Sequence, residues 1–151
     1  MTIQDFSHLL KDLEADLQRQ LAHDLPRKLG NLAVRMFKEN FQKESFFGRA
    51  WREVKRRINP KHPEKAEARR PILTGSTGNL GRSIRFSPHG GSVTVYSDLP
   101  YAEAHNEGTT GAGRSHNVRI PKRQFMGEDP KLTKAIEEKI TQEINKALNK
   151  R

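Results

Sequence analysis

Two groups of residues in this chain have types and spacings that could do chemistry. The first is the run ILTGSTGNLGRSI, residues 72–84, in which Gly75, Gly78 and Gly81 stand three apart. That spacing has the look of a phosphate-cradling dinucleotide loop. Such a loop must leave a buried parallel strand and enter a helix whose first N–H groups hold the pyrophosphate. Upstream, only Ile72 and Leu73 are apolar, and Pro71 cannot donate to a sheet ladder. Downstream, Ile84 and Phe86 alternate with Arg85 like a strand and run into Pro88-His89-Gly90-Gly91. No Gly-Lys-Ser/Thr follows the glycines, so a Walker loop is excluded too. The reading is a glycine turn with positive φ that feeds the first strand, with Thr77 as a candidate cap. No cofactor is expected.

The second group is Glu103, His105 and Glu107. On a strand their alternation would put one imidazole and two carboxylates on one face, a conceivable metal site. No second histidine has short ligand spacing, and His116 sits in a glycine-rich stretch, so no metal is expected. The chain has no cysteine, which excludes a disulfide framework, cysteine-ligated zinc and a thiol nucleophile. No Ser-His-Asp arrangement or carboxylate pair is legible, so no catalytic residue is assigned and no small-molecule substrate is expected.

Charge is the stronger signal. The 151 residues hold 28 Lys+Arg against 18 Asp+Glu, a net charge of +10. That balance favours nucleic acid, an anionic surface or an acidic protein partner. It concentrates in residues 55–71, KRRINPKHPEKAEARRP, a proline-punctuated segment read as a solvated, mobile loop. Lys55, Arg56, Arg57, Arg69 and Arg70 are its candidate contacts to a partner or to DNA. A basic nucleic-acid-binding protein is therefore one reading, although no aromatic interleaving or nucleic-acid module sharpens it. No apolar run approaches the roughly 20 residues of a membrane span. The N-terminus mixes acids among its apolar positions, unlike a secretory signal. The expectation is a soluble intracellular protein of one domain, residues 1–151, with no membrane partner.

The elements that must position these residues follow from periodicity. Phe6, Leu9, Leu10, Leu13, Leu17 and Leu21 recur at three- and four-residue steps and predict a first helix. Pro26 suits the first turn of a second, whose stripe is Leu29, Leu32, Ala33, Met36, Phe37 and Phe41. Gly48 should release the chain from that helix, with Trp51 packing over its end. From residue 80 the period becomes two: a hairpin is expected around Gly90-Gly91, with Val93 and Val95 on its second strand. Residues 107–119 are read as a second mobile segment, and residues 118–125 as a last strand near an edge at Pro121. Asp129-Pro130 opens a C-terminal helix striped by Leu132, Ile136, Ile140, Ile144 and Leu148. Helices, a small mainly antiparallel β-sheet and a C-terminal helix make an α+β fold.

Four motifs in order carry a resemblance. They are Phe47, Gly48 and Trp51; then Ile72, Leu73, Thr77, Gly78, Leu80, Ser83 and Ile84; then Tyr101, Ala102, His105 and Gly108; then Ile120, Pro121, Arg123, Phe125 and Gly127. From about residue 30 onward the chain resembles the phage virion morphogenesis family, the Mu G-protein-like tail completion or head–tail joining proteins. Lys122, Gln124 and Met126 depart from residues usual there. The resemblance implies a structural protein that is not an enzyme. It would join or complete the tail at the virion neck, typically as a ring of identical subunits (about six). Its partners would be the head–tail connector and tail proteins, with non-specific contact to packaged DNA. It would occupy the virion neck or tail, and the host cytoplasm during assembly. Under that reading Trp51, Leu73, Leu80, Ile84, Tyr101 and Phe125 are packing anchors. His105, Arg114, Arg119 and Arg123 join the basic residues as candidate contacts.

Overall fold

The computed structural model describes residues 3–149. The fold is α+β, organised on one long helix. α1 (Ile3–Arg19) does not stop before Pro26; it passes through a π-helical turn, Gln20–Asp24, into α2 (Leu25–Gln42). Two separate helices were expected. Pro26 sits at the first turn of α2 as anticipated, but the backbone ahead of it widens instead of breaking: the Leu25 N–H reaches back to the Gln20 carbonyl. The side chain of Phe6, first in the expected stripe, lies outside those described.

α2 is the spine of the core. Gly30, Ala33, Phe37 and Phe41 recur at helical spacing and are all buried. The helix ends at Lys43, followed by Glu44 with φ +49°, so Glu44 and not Gly48 turns the chain. Gly48 serves a tight hairpin. β1 (Ser45–Phe46) and β2 (Arg49–Ala50) pair antiparallel across Phe47 and Gly48, both with positive φ.

The basic segment folds back through two short helical turns, α3 (Lys55–Ile58) and α4 (Ala66–Arg69). In the glycine stretch, Gly75 and Gly78 take φ of +56° and +67° as the turn reading requires. Gly81 does not: it lies in another single turn, α5 (Asn79–Arg82), where a Cβ would stand 3.5 Å from the Phe41 ring. The expected strand therefore begins later than residue 80, and Thr77 makes no capping bond.

β3 (Arg85–His89) and β4 (Ser92–Tyr96) form the hairpin expected about Gly90-Gly91 and lie across α2. α6 (Ala102–Glu107) replaces the extended reading of that stretch. On a helix Glu103 and Glu107 share a face that His105 leaves, which undoes the three-residue metal arrangement. The stretch read as a glycine-rich loop contains β5 (Thr109–Ala112), paired irregularly with β6 (Val118–Ile120). The β structure is thus three separate two-stranded ribbons, not one continuous sheet.

Residues 121–129 thread through the core without regular structure and carry Phe125, fully buried at 0% exposure. α7 (Pro130–Asn149) opens as expected at Asp129, whose Oδ1 accepts the Lys131 N–H at 2.9 Å. α7 packs on α2 through Leu132 and Ile136, while Leu148, at the far end of the stripe, is exposed.

Candidate functional site

The four motifs converge. Phe41 meets Trp51 edge-on at 5.5 Å and Phe125 at 5.1 Å, so residues from α2, the β2 end and the 121–129 segment share one aromatic cluster. Two asparagines hold the Phe125 backbone from either side. Asn40 Nδ2 donates to the Phe125 carbonyl at 3.1 Å, and its Oδ1 accepts the Phe47 N–H. Asn106 Oδ1 accepts the Phe125 and Met126 N–H groups at 2.9 and 3.0 Å. Buried backbone groups need such partners where no sheet supplies them. Periodicity could not have flagged either asparagine, because each acts on a segment far away in sequence.

Beside this core lies a half-open recess of about 420 Å³. Arg56, Arg70, Leu73, Leu80, Tyr101, His105 and Arg123 line it, joined by Val54, Ile72 and Thr74. The basic segment reaches the recess because its arginines stitch it down. Arg56 donates through Nε to the Glu67 carbonyl (3.1 Å) and through Nη2 to those of Arg70 (2.6 Å) and Pro71 (2.9 Å). Arg57 Nη1 donates to both carboxylate oxygens of Glu44 at 2.7 Å, and Glu44 Oε1 also accepts the Ile72 N–H at 2.8 Å. Burial would push the Glu44 carboxyl up, but these bonds and the Arg57 and Arg56 charges hold it below the usual range. Glu44, which pattern reading did not single out, is thus the carboxylate that seats both Arg57 and Ile72.

Arg123 enters from the other side. It is 7% exposed, donates through Nε to the Arg52 carbonyl (2.9 Å) and through Nη2 to that of Glu53 (3.3 Å). Its own N–H bonds the His105 carbonyl at 2.9 Å, tying α6 to the 121–129 segment. Burial lowers the pKa of Arg123, and the charges of Arg52 and Arg56 lower it further. The His105 imidazole is pushed below its ordinary value by burial and then by Arg123. Tyr101 meets its ring edge-on at 6.1 Å.

Of the residues singled out from sequence, Trp51, Leu80, Ile84 and Phe125 are buried in the core. Leu73 is half-buried at φ +60°, an unusual backbone for leucine. Tyr101 is 42% exposed at the recess mouth and is not packed in the core. Arg56, Arg70, His105 and Arg123 come together in the recess, whereas Arg57 is engaged by Glu44. Lys55, Arg69, Arg114 and Arg119 are exposed and lie outside it. Among the described residues no group of three acidic or histidine side chains is placed to hold a metal ion.

The fold and site define a small α+β protein whose motifs build a cation-lined recess on an aromatic core. The chain belongs to the phage virion morphogenesis family, whose family model matches residues 2–145. That match takes in α1, ahead of the point where the resemblance in the motifs begins. No curated protein and no solved structure gives a significant match. Membership sets the role in phage particle assembly, as a structural morphogenesis component.

Proposed function

We propose that this protein is a tail completion or head–tail joining adaptor that works at the virion neck as a ring of identical subunits. Family membership supports the broad role. The observation that carries the ring is α1. Leu9 and Leu10 of α1 and Leu21 of the π-helical turn are exposed, and apart from that turn no described element packs extensively on α1. Asp5, Asp12, Glu14 and Asp16 outnumber Lys11 and Arg19 on this helix, in a chain whose net charge is +10. An acidic, leucine-faced arm complements the basic body of a second copy better than it complements another arm. Arm-on-body contacts passed from copy to copy are heterologous, and they close into a ring where the rotation between copies closes. The exposed cations Lys55, Arg69, Arg114 and Arg119 are then available to acidic connector and tail proteins or to packaged DNA.

Light scattering across protein concentration and salt tests the ring. The expected result is a ring-sized mass that falls to the monomer in a Leu9→Glu/Leu10→Glu variant and at high salt. A ring that persists unchanged in that variant would overturn the arm's role. A monomer at every concentration, with or without connector and tail proteins, would overturn the ring itself. Tight, salt-dependent DNA binding by that monomer would favour the nucleic-acid-binding reading.

A further inference from the structure

We propose that the recess beside His105 is an anion site that takes a carboxylate borne by a partner protein, an Asp or Glu side chain presented from its surface. The inference rests on the reading of this protein as an assembly component, but not on the ring.

The recess gathers three arginines, and the carboxylates whose charges reach Arg56 and Arg123, Glu44 and Glu53, are both engaged by Arg57. Arg56, Arg70 and Arg123 line it, and none of the three is in an ion pair among the described residues. Arg123 is more than nine-tenths buried, yet its guanidinium meets only backbone carbonyls, through Nε and Nη2. Its Nη1 makes no hydrogen bond among the described residues and is within reach of solvent. His105 Nδ1, by contrast, is buried without a partner. Such a buried polar atom is costly to leave unpaired, and a ligand in the recess would complete it. Burial and then the charge of Arg70 lower the Arg56 pKa, and burial and then the charges of Arg52 and Arg56 lower that of Arg123, against an opposing pull from Glu44 and Glu53 on Arg56 and from Glu53 on Arg123.

The shape selects the anion. Val54, Ile72, Leu73 and Leu80 supply apolar wall next to the guanidinium groups. An Asp or Glu side chain matches that pairing: methylene against the wall, and a carboxylate that accepts paired guanidinium N–H groups. A duplex phosphate matches it less well, because neighbouring phosphates would be drawn against apolar wall and lose water. The strained backbone of Leu73 at the wall is the kind of feature that collects at ligand clamps.

The test is NMR of the full chain at fixed pH and ionic strength, reading the His105 ring signals, assigned by loss in His105→Gln. Sodium propionate is exchanged for chloride, with inorganic phosphate and a duplex oligonucleotide as comparators. The expected result is a saturable His105 shift with propionate, its midpoint raised at least about tenfold in Arg123→Gln and in Arg70→Gln. Arg70→Gln keeps the test decisive if loss of the Arg123 backbone ties unfolds the first variant, because no side-chain hydrogen bond of Arg70 is seen among the described residues. A shift that never saturates, or that is unchanged in Arg70→Gln, overturns the site. A His105 response to the duplex and none to propionate overturns the carboxylate assignment in favour of phosphate. None of these readouts depends on ring formation, so failure here and failure of the ring are separable.

Discussion

Trp51 Nε1 donates a 2.7 Å hydrogen bond to the Gln124 carbonyl, joining two motifs 73 positions apart in sequence. The bond fixes the irregular segment that carries Phe125 against the end of the β1–β2 hairpin. Trp51→Phe keeps an aromatic ring in the cluster but orphans the carbonyl, and should cost about 1–2 kcal/mol. Trp51→Ala also removes the packing against Phe41 and should cost about 3–5 kcal/mol. Urea unfolding followed by far-UV circular dichroism measures both. Equal losses in the two variants would mean that the hydrogen bond, not the packing against Phe41, sets Trp51's role.

Gly30 lets the β3–β4 hairpin approach α2. A Cβ there would stand 2.3 Å from Phe86 Cδ2 and 2.5 Å from Cγ, well inside contact distance. Alanine ordinarily gains about 1 kcal/mol over glycine inside a helix. Here the ring must move, and overpacking costs about 1–3 kcal/mol, so Gly30→Ala should destabilise. A rise in the thermal midpoint would show that the hairpin has room to shift.

Glu143 on α7 pairs with Lys28 of α2 and with Lys139, the latter at 2.9 Å. Hydrogen bonds from these two lysines hold its carboxyl at about 2. A carboxyl depressed on folding contributes stability that is complete above its ordinary value of 4.5 and is lost as pH falls toward about 2. Glu143→Gln should remove that share of the acid-side slope and cost on the order of 1 kcal/mol at neutral pH, because the lysines keep part of their surface in solvent. A parallel pH–stability curve in the variant would contradict this.

His105 has the opposite charge type. Its folded pKa lies below the ordinary 6.5 because of burial and the Arg123 charge. The unfolded chain therefore binds the proton more readily, and stability falls as pH drops below about 6.5. His105→Gln should flatten that part of the profile between neutrality and pH 5. An unchanged slope there would mean that His105 titrates freely in the folded protein.

The strongly periodic parts of the fold were legible in the sequence. The stripes of α2 and α7 and the β3–β4 alternation each repeat over several turns or residue pairs, so the pattern determines the element. What failed was local and short. α5 and α6 are too brief to show a helical period, and their residues alternate well enough to read as strand. The π turn arises because Pro26 lacks an N–H, and the backbone answers by lengthening one bond ring, which composition cannot reveal. The recess was half legible: Arg56, Arg70, His105 and Arg123 stood out by type. Their meeting depends on Glu44, Asn40 and Asn106, polar residues that bind backbone far away in sequence and leave no local signal.

The most direct test of the central claim is electron microscopy of lysates from the phage or prophage that carries this gene, with the gene deleted and then supplied again. An adaptor that joins or completes the tail at the neck predicts filled heads and tails accumulating separately. Joined, infectious particles should return when the wild-type protein is added, and fewer should return with Leu9→Glu/Leu10→Glu. Joined, infectious particles formed at normal yield without the gene would contradict the account.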